Sequence, residues 1–169
     1  MKIEEGSYYH IYNRGNNRGI IFFQESDYVH FLNQFNNYLK SSVDIYVYCL
    51  MPNHFHFFIK INDKTTFEKG IKNFLISYVK YVNFKYYRVG GLFQGRYKAS
   101  PVKTDSYFTQ IVTYIHQNPL ILPNVEKLED YKHSSYREYL NDVNCYLNKD
   151  EVINWFGNLE QFRLIHEQI

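Results

Sequence analysis

The sequence predicts an α+β fold: a ferredoxin-like split βαβ, with an antiparallel sheet, packed helices and a helical C-terminal extension. Three observations carry that expectation. Short runs rich in Tyr, Phe, Ile and Val alternate near the N-terminus and again across 43–61, as half-buried strands do. Between and after them, apolar residues recur at helical spacing. The segments follow in the order β-α-β-β-α-β-α, which is the split βαβ order with one helix added.

Each element has its own justification. Ser7 to Asn13 alternates and reads as the first strand, and Arg14-Gly15-Asn16-Asn17-Arg18-Gly19 as a polar, glycine-punctuated loop. Ser26 or Asp27 is placed to cap a helix whose apolar face is Val29, Phe31, Leu32, Phe35 and Leu39. Val43 to Leu50 is a second strand, broken by Pro52-Asn53. His54 to Ile61 is a third, expected to pair with the second as an antiparallel hairpin or near-neighbour. Asn62-Asp63-Lys64-Thr65 supplies a turn and capping residues. A long helix then carries Phe67, Ile71, Phe74, Leu75, Tyr78, Val79 and Val82, and Gly90-Gly91 closes that region. Leu92 to Lys103 reads as extended. Thr104 or Asp105 caps a further helix bearing Phe108, Ile111, Val112 and Ile115, which stops at Pro119. Past Val125, Tyr131–Leu140 and Glu151–Ile165 read as helical. With no internal repeat or low-complexity linker, residues 1–169 are expected to form a single domain. Its motif-bearing core is about 7–120 and its helical tail about 121–169.

Composition narrows the function classes. Aromatic residues make up 20% of the chain, with 18 Tyr and 14 Phe against 1 Trp, and Tyr suits both packing and stacking on bases. A net charge of +2 excludes a polycationic binder, but the cations are unevenly spread. Lys80, Lys85, Arg88, Arg96, Lys98 and Lys103 form a basic middle, while acidic residues gather from Lys127 onward. Two distant cysteines, Cys49 and Cys145, exclude a disulfide framework or a cysteine-based zinc site. The polar start and the lack of any run of roughly 20 apolar residues set the expectation of a cytoplasmic protein with no membrane partner.

The run Met51-Pro52-Asn53-His54-Phe55-His56-Phe57-Phe58-Ile59 is the richest chemically. Residues i and i+2 of a strand share a face, so His54 and His56 project together while Phe55 and Phe57 point into the core. Two such imidazoles hold one divalent cation or one phosphate, although a strand histidine also serves as an ordinary hydrogen-bonding group. On the helix before Pro119, Tyr114 and Asn118 are four residues apart and share a face. A phenol beside a metal can attack phosphorus, and an amide oxygen suits a hard cation as imidazole does. His54, His56 and Asn118 would then form a three-ligand site. His116, two residues from Tyr114, points away from it. Two other readings stay open on the residues alone. One is a non-catalytic single-strand nucleic-acid-binding module on a ferredoxin-like sheet, which needs no metal ligands. The other is a metal-dependent phosphodiesterase acting on small nucleotides, which uses water and needs no tyrosine.

Four elements in order, Tyr9-His10-Ile11-Tyr12-Asn13-Arg14-Gly15, Leu50-Met51-Pro52-Asn53-His54-Phe55-His56, Gly95-Arg96-Tyr97-Lys98 and Tyr114-Ile115-His116-Gln117-Asn118-Pro119, resemble the REP-associated tyrosine transposases. These are single-tyrosine members of the HUH class (His, hydrophobic residue, His). The likeness spans about Ser7 to Pro119, and His133-Ser134-Ser135-Tyr136 looks like a later element. It implies a DNA transposase and endonuclease that binds single-stranded DNA with hairpin elements and cuts one strand. Tyr114 would be the nucleophile, joined to the 5′-phosphate, and a second strand end would later displace it. His54, His56 and Asn118 would hold Mg²⁺ or Mn²⁺. His10 and Arg14 would lie near the scissile phosphate. Arg18, Arg96, Lys98 and Lys103 would follow the backbone by charge, and Tyr12 and Tyr97 would stack on bases. The family includes dimers and monomers, so monomer or homodimer is expected, associated with the nucleoid when acting on DNA. The chain departs from the family at Phe93, where Trp is frequent, and at Leu120-Ile121-Leu122.

Overall fold

The computed structural model describes residues 3–141 and 146–168. Its centre is a four-stranded sheet in the order β2-β3-β1-β4, built from β1 (Tyr8–Arg14), β2 (Val43–Met51), β3 (His54–Ile61) and β4 (Lys98–Val102). Every pairing is antiparallel. Helix α1 (Glu25–Leu39) joins β1 to β2, and α2 (Lys64–Lys85) joins β3 to β4. This is the ferredoxin-like split βαβ arrangement that the sequence pattern predicts. Helix α3 (Asp105–Gln117) follows β4, and α4 (Tyr136–Leu140), α5 (Lys149–Phe156) and α6 (Leu159–Glu167) form the C-terminal extension.

Because antiparallel partners share a side of the sheet, register assigns each strand residue to a face. Ile11 pairs with Phe57 and Tyr9 with Ile59, and all four are buried. This face packs on α1 and α2: Phe35 stacks on Phe57 with ring centroids 3.8 Å apart, and Phe31 meets Phe55 at 5.1 Å and Phe74 at 4.7 Å. Each buried Phe stabilises the fold by about 1.5–3 kcal/mol. The opposite face divides in two. Near β2 it is apolar, where Phe108 of α3 lies 4.7 Å from Tyr8 and 4.8 Å from Trp155 of α5. Along β1, toward β4, it is polar.

Several expectations shift. Helix α1 begins at Glu25, and its buried stripe is Asp27, Tyr28, Phe31, Phe35 and Leu39. Val29 lies one step off that stripe and is exposed. The extended stretch from Leu92 contracts to β4, since Gly95 turns the chain at φ 71°. The expected helix over Glu151–Ile165 is two helices, divided where Gly157 takes φ 91° and Asn158 caps α6 through the Gln161 amide at 2.9 Å. Of Tyr131–Leu140, only Tyr136–Leu140 is helical, and the Tyr131 hydroxyl instead donates to the Leu50 carbonyl at 2.6 Å. Cys49 is buried and free, and Cys145 lies outside the described residues.

The start of α1 is tied to the end of α2 through one buried carboxylate. Asp27 accepts from the Phe23 and Gln24 amides, each at 2.9 Å, from Tyr81 at 3.0 Å and Tyr86 at 2.7 Å, and from Lys85 at 2.6 Å. Burial alone would raise this carboxyl, but Lys85, Tyr86 and the two amides overcome it and hold it down at about 2. Asp27→Ala strands five donors and is expected to cost about 2–4 kcal/mol in urea denaturation. The folded value lies below the ordinary 3.8, so the contribution is complete above that pH and is lost as pH falls through about 2. Wild type is therefore expected to lose about 2 kcal/mol more than Asp27→Asn between pH 4 and pH 2.

Candidate active site

The polar half of the open face is assembled by register. β1 pairs Arg14 with His54 and Tyr12 with His56, and on its other edge pairs Tyr12 with Lys98 and His10 with Ser100. The Pro52-Asn53 turn starts β3 at His54, so both histidines fall on this face, with ring centroids 5.0 Å apart and planes at 88°. The His54 Nδ1–H donates to Asn53 Oδ1 at 2.6 Å, which leaves Nε2 as the acceptor atom, 3.4 Å from Asn118 Oδ1. His56 Nδ1 lies 2.7 Å from His10 Nε2. Its own Nε2 is buried and has no hydrogen-bond partner.

Burial lowers the His54 pKa, with Asn118 partly opposing. Burial, helped by His10 and His54, pushes His56 well below its ordinary value, and burial takes His10 to about 4. All three rings are therefore neutral near pH 7, the form in which imidazole accepts or ligates. From α3, Tyr114 is 52% exposed, and its ring stands 5.7 Å from His56 at 82° and 6.0 Å from His10 at 78°. Asn118, at the C-cap of α3, donates its Nδ2 to the Tyr114 carbonyl at 2.7 Å, which turns Oδ1 toward His54. The donor set is two imidazole Nε2 atoms and one amide oxygen. One of these nitrogens is buried and otherwise unpaired, which fits a divalent cation with open positions. Among the described residues no three His, Cys, Asp or Glu side chains form such a cluster.

Beside these groups lies a cavity of about 460 Å³ lined by Arg14, Arg18, Lys98, Asn53 and Gln94. Arg14 Nε donates to Gln94 Oε1, which aims the guanidinium. Gly15 is required because a Cβ there would come within 1.9 Å of the Gly19 carbonyl oxygen. Arg18 sits at φ 58°, and its carbonyl accepts from Asn53 Nδ2 at 3.3 Å. Asn53 thus links the Arg18 loop to the His54 ring.

The structure gathers His10, Arg14, Arg18, Lys98, His54, His56, Tyr114 and Asn118 at one place. Arg96 is exposed and does not line this cavity, and Lys103 lines a separate cavity with Phe108 and Trp155. Tyr12 lines the site, but Tyr97 packs edge-on against Phe67 of α2 at 6.3 Å. Sequence reasoning missed Asn53 and Gln94. For Asn53 the signal was its place directly before the histidine pair, with one amide able to serve a ring and a loop at once.

The family model of the IS200-like transposases matches residues 4–118. The chain belongs to the IS200-like transposase family. The matched span ends at Asn118 and so contains every residue of the donor set. No curated protein sequence matches the chain. Among solved structures, a REP-associated tyrosine transposase bound to a REP hairpin matches with TM-score 0.64 and 14% identity, covering 83% of this chain and 82% of that one, and so shares its fold. A Deinococcus radiodurans R1 protein designated a transposase matches with TM-score 0.46 and 15% identity, over 69% of this chain and 97% of that one.

In this IS200-like transposase the tyrosine helix is fixed from behind. His116 is fully buried on the side of α3 away from Tyr114, with Nε2 2.8 Å from Ser135 Oγ and Nδ1 2.9 Å from His166 Nε2. His166 Nδ1–H donates to the Phe162 carbonyl at 2.7 Å. Burial pushes His116 well below its ordinary value and His166 to about 4. A histidine held neutral stabilises fully above its unfolded value near 6.5, and that stability is lost as pH falls toward 4, by about 3 kcal/mol. His166→Leu is expected to cost about 2 kcal/mol at pH 8 and to flatten the loss between pH 6.5 and 4, both measured by urea denaturation across pH.

Proposed function

We propose that this chain is a metal-dependent single-strand DNA endonuclease and transposase, which cuts and rejoins hairpin-flanked DNA through a 5′-phosphotyrosine on Tyr114. The observation that carries this reading is the exposed Tyr114 ring set across from a buried His56 Nε2 that has no protein partner, at the edge of a cavity with three cations. Membership of the family supports strand transfer, and the hairpin bound by the REP-associated relative supports the substrate class. Tyr114 and the donor set meet within one chain, which supports a site complete in a single subunit, whether the protein acts as monomer or homodimer.

His54, His56 and Asn118 would hold Mg²⁺ or Mn²⁺, which when bound supplies Lewis-acid polarisation of the scissile phosphate. The chain's own groups do the rest. Asn53 fixes the His54 tautomer and leaves its Nε2 free to ligate, and His56 would ligate through Nε2 with its Nδ1 proton donated to His10 Nε2. Arg14, Arg18 and Lys98 bind backbone phosphates and orient the strand. Tyr114 Oη attacks phosphorus, its proton passing to solvent. A Tyr–O–P bond forms as the P–O3′ bond breaks, and the leaving 3′-oxygen takes up a proton. A second 3′-hydroxyl attacking the phosphotyrosine reverses these steps. The bond energy is kept throughout, so rejoining needs no external source.

Labelled single-stranded DNA carrying hairpins, resolved on denaturing gels with Mn²⁺, tests this. A covalent adduct is expected with wild type and none with Tyr114→Phe, while DNA binding by the variant persists. His54→Ala and His56→Ala are expected to bind DNA without forming adduct, and Asn53→Ala to need about ten to a hundred times more Mn²⁺. Cutting by Tyr114→Phe at the wild-type rate would point instead to a water nucleophile. Binding with no adduct from any hairpin would leave the non-catalytic module.

A further inference from the structure

A second cavity, of about 490 Å³, opens on the other side of Tyr114. It shares Tyr12, His56 and Tyr114 with the cationic one, so the two together make a groove with the tyrosine at its middle. Their chemistry differs sharply. The first holds Arg14, Arg18 and Lys98, whereas the second has no Lys, Arg, Asp or Glu in its lining. Its distinctive side chains are Ser100 from β4 and Tyr107 and Gln110 from α3. Positions 107, 110 and 114 recur at helical spacing, so Tyr107, Gln110 and Tyr114 form one exposed stripe along α3 that borders the open part of the sheet. Across from it, the pairing of His10 with Ser100 supplies the floor. Tyr107 is 42% exposed, and the Gln110 amide makes no side-chain hydrogen bond among the described residues.

A neutral pocket has no counter-charge for phosphate. An exposed aromatic ring beside an unpaired amide and a hydroxyl suits an unpaired nucleobase: the ring offers a stacking face, and the amide a donor and an acceptor for one base edge. Resting on the nuclease reading above, we infer that this cavity receives the base of a nucleotide bordering the scissile phosphate, with Tyr107 stacking on it and Gln110 reading its edge. The cationic cavity then takes the backbone on the other side of the cut. Tyr107 and Gln110 become the residues that set which nucleotide borders the break.

The test uses the full chain, Mn²⁺ and single-stranded DNA with a fixed hairpin and randomised flanks. Covalently captured DNA and the released ends are sequenced to give base preference on each side of the cut. Wild type is expected to prefer one base at a bordering position by about fivefold or more, and Gln110→Ala to flatten that preference while leaving other positions unchanged. Tyr107→Ala is expected to raise KM for the strand more than it lowers kcat, and Tyr107→Phe to restore it, because the ring alone stacks. Gln110 is exposed on its helix, and any loss of folded protein lowers yield without changing the preference. Adduct whose base preference is the same in wild type and Gln110→Ala overturns the inference alone. Wild type that forms no adduct with any member of the library overturns the nuclease reading and this inference with it.

Discussion

His116 occupies the point on which the geometry of the site turns. The proton positions along its chain of contacts follow from one another. The Phe162 carbonyl can only accept, so His166 carries its proton on Nδ1 and offers Nε2 as acceptor. His116 must then donate from Nδ1, which leaves its Nε2 to accept from the Ser135 hydroxyl. Ser135 Oγ accepts in turn from the Tyr48 amide at 3.0 Å, while the Ser135 amide serves the Tyr48 carbonyl at 3.0 Å. The Ser135 hydroxyl reaches two acceptors, His116 Nε2 at 2.8 Å and the Tyr48 carbonyl at 3.1 Å. This network joins α3 to α6, to the 134–135 segment and to strand β2. It sits opposite Tyr114 on the helix, so the angle at which the phenol meets the histidine pair is set by groups that never touch substrate.

The sheet contributes a second constraint, the division of its open face. In most of the ferredoxin-like frame one face is covered by the two crossover helices and the other is free to bind. Here the part near β2 is closed by an aromatic cluster. Tyr46 and Trp155 lie 5.0 Å apart, Phe58 and Phe108 5.7 Å, and the Tyr8 and Tyr46 hydroxyls both donate to Glu151. That cluster holds the start of α3 and α5 against the sheet. The remainder of the face, along β1 and β4, stays open and polar because the alternation of β1 places His10, Tyr12 and Arg14 there. The C-terminal extension closes half the face and so confines the site to the other half.

The frame was legible because its signals are local. Strand alternation, the Pro52-Asn53 break and the helical stripes each lie within a few residues of one another, and the histidine pair and the Tyr114–Asn118 spacing are equally local. What escaped depends on distant chain segments. His166 lies 50 residues from His116, and nothing near either one announces the other. Tyr107 and Gln110 acquire their setting only when β4 pairs with β1. Lys98 and Lys103 look alike in sequence, but β4 sets them at opposite ends, one in the cationic cavity and one beyond Phe108. The break at Gly157 was marked by a glycine followed by a capping Asn, a local signal outweighed by the longer apolar pattern around it.

The donor set also explains the charge of its surroundings. Two neutral imidazoles and an amide carry no negative charge, and the cavity beside them holds three cations and no carboxylate in its lining. A cation held only by neutral donors beside Arg14, Arg18 and Lys98 would be repelled by all three. A phosphodiester at the same place reverses the sign of that balance, because its oxygens offer anionic ligands to the metal and counter-charge to the arginines together. On the proposed reading, metal and strand would be bound as a unit. Asn53 occupies the junction, one end of its amide on the His54 ring and the other on the Arg18 loop, so the groups that would hold the ion and those that would hold the backbone share one turn.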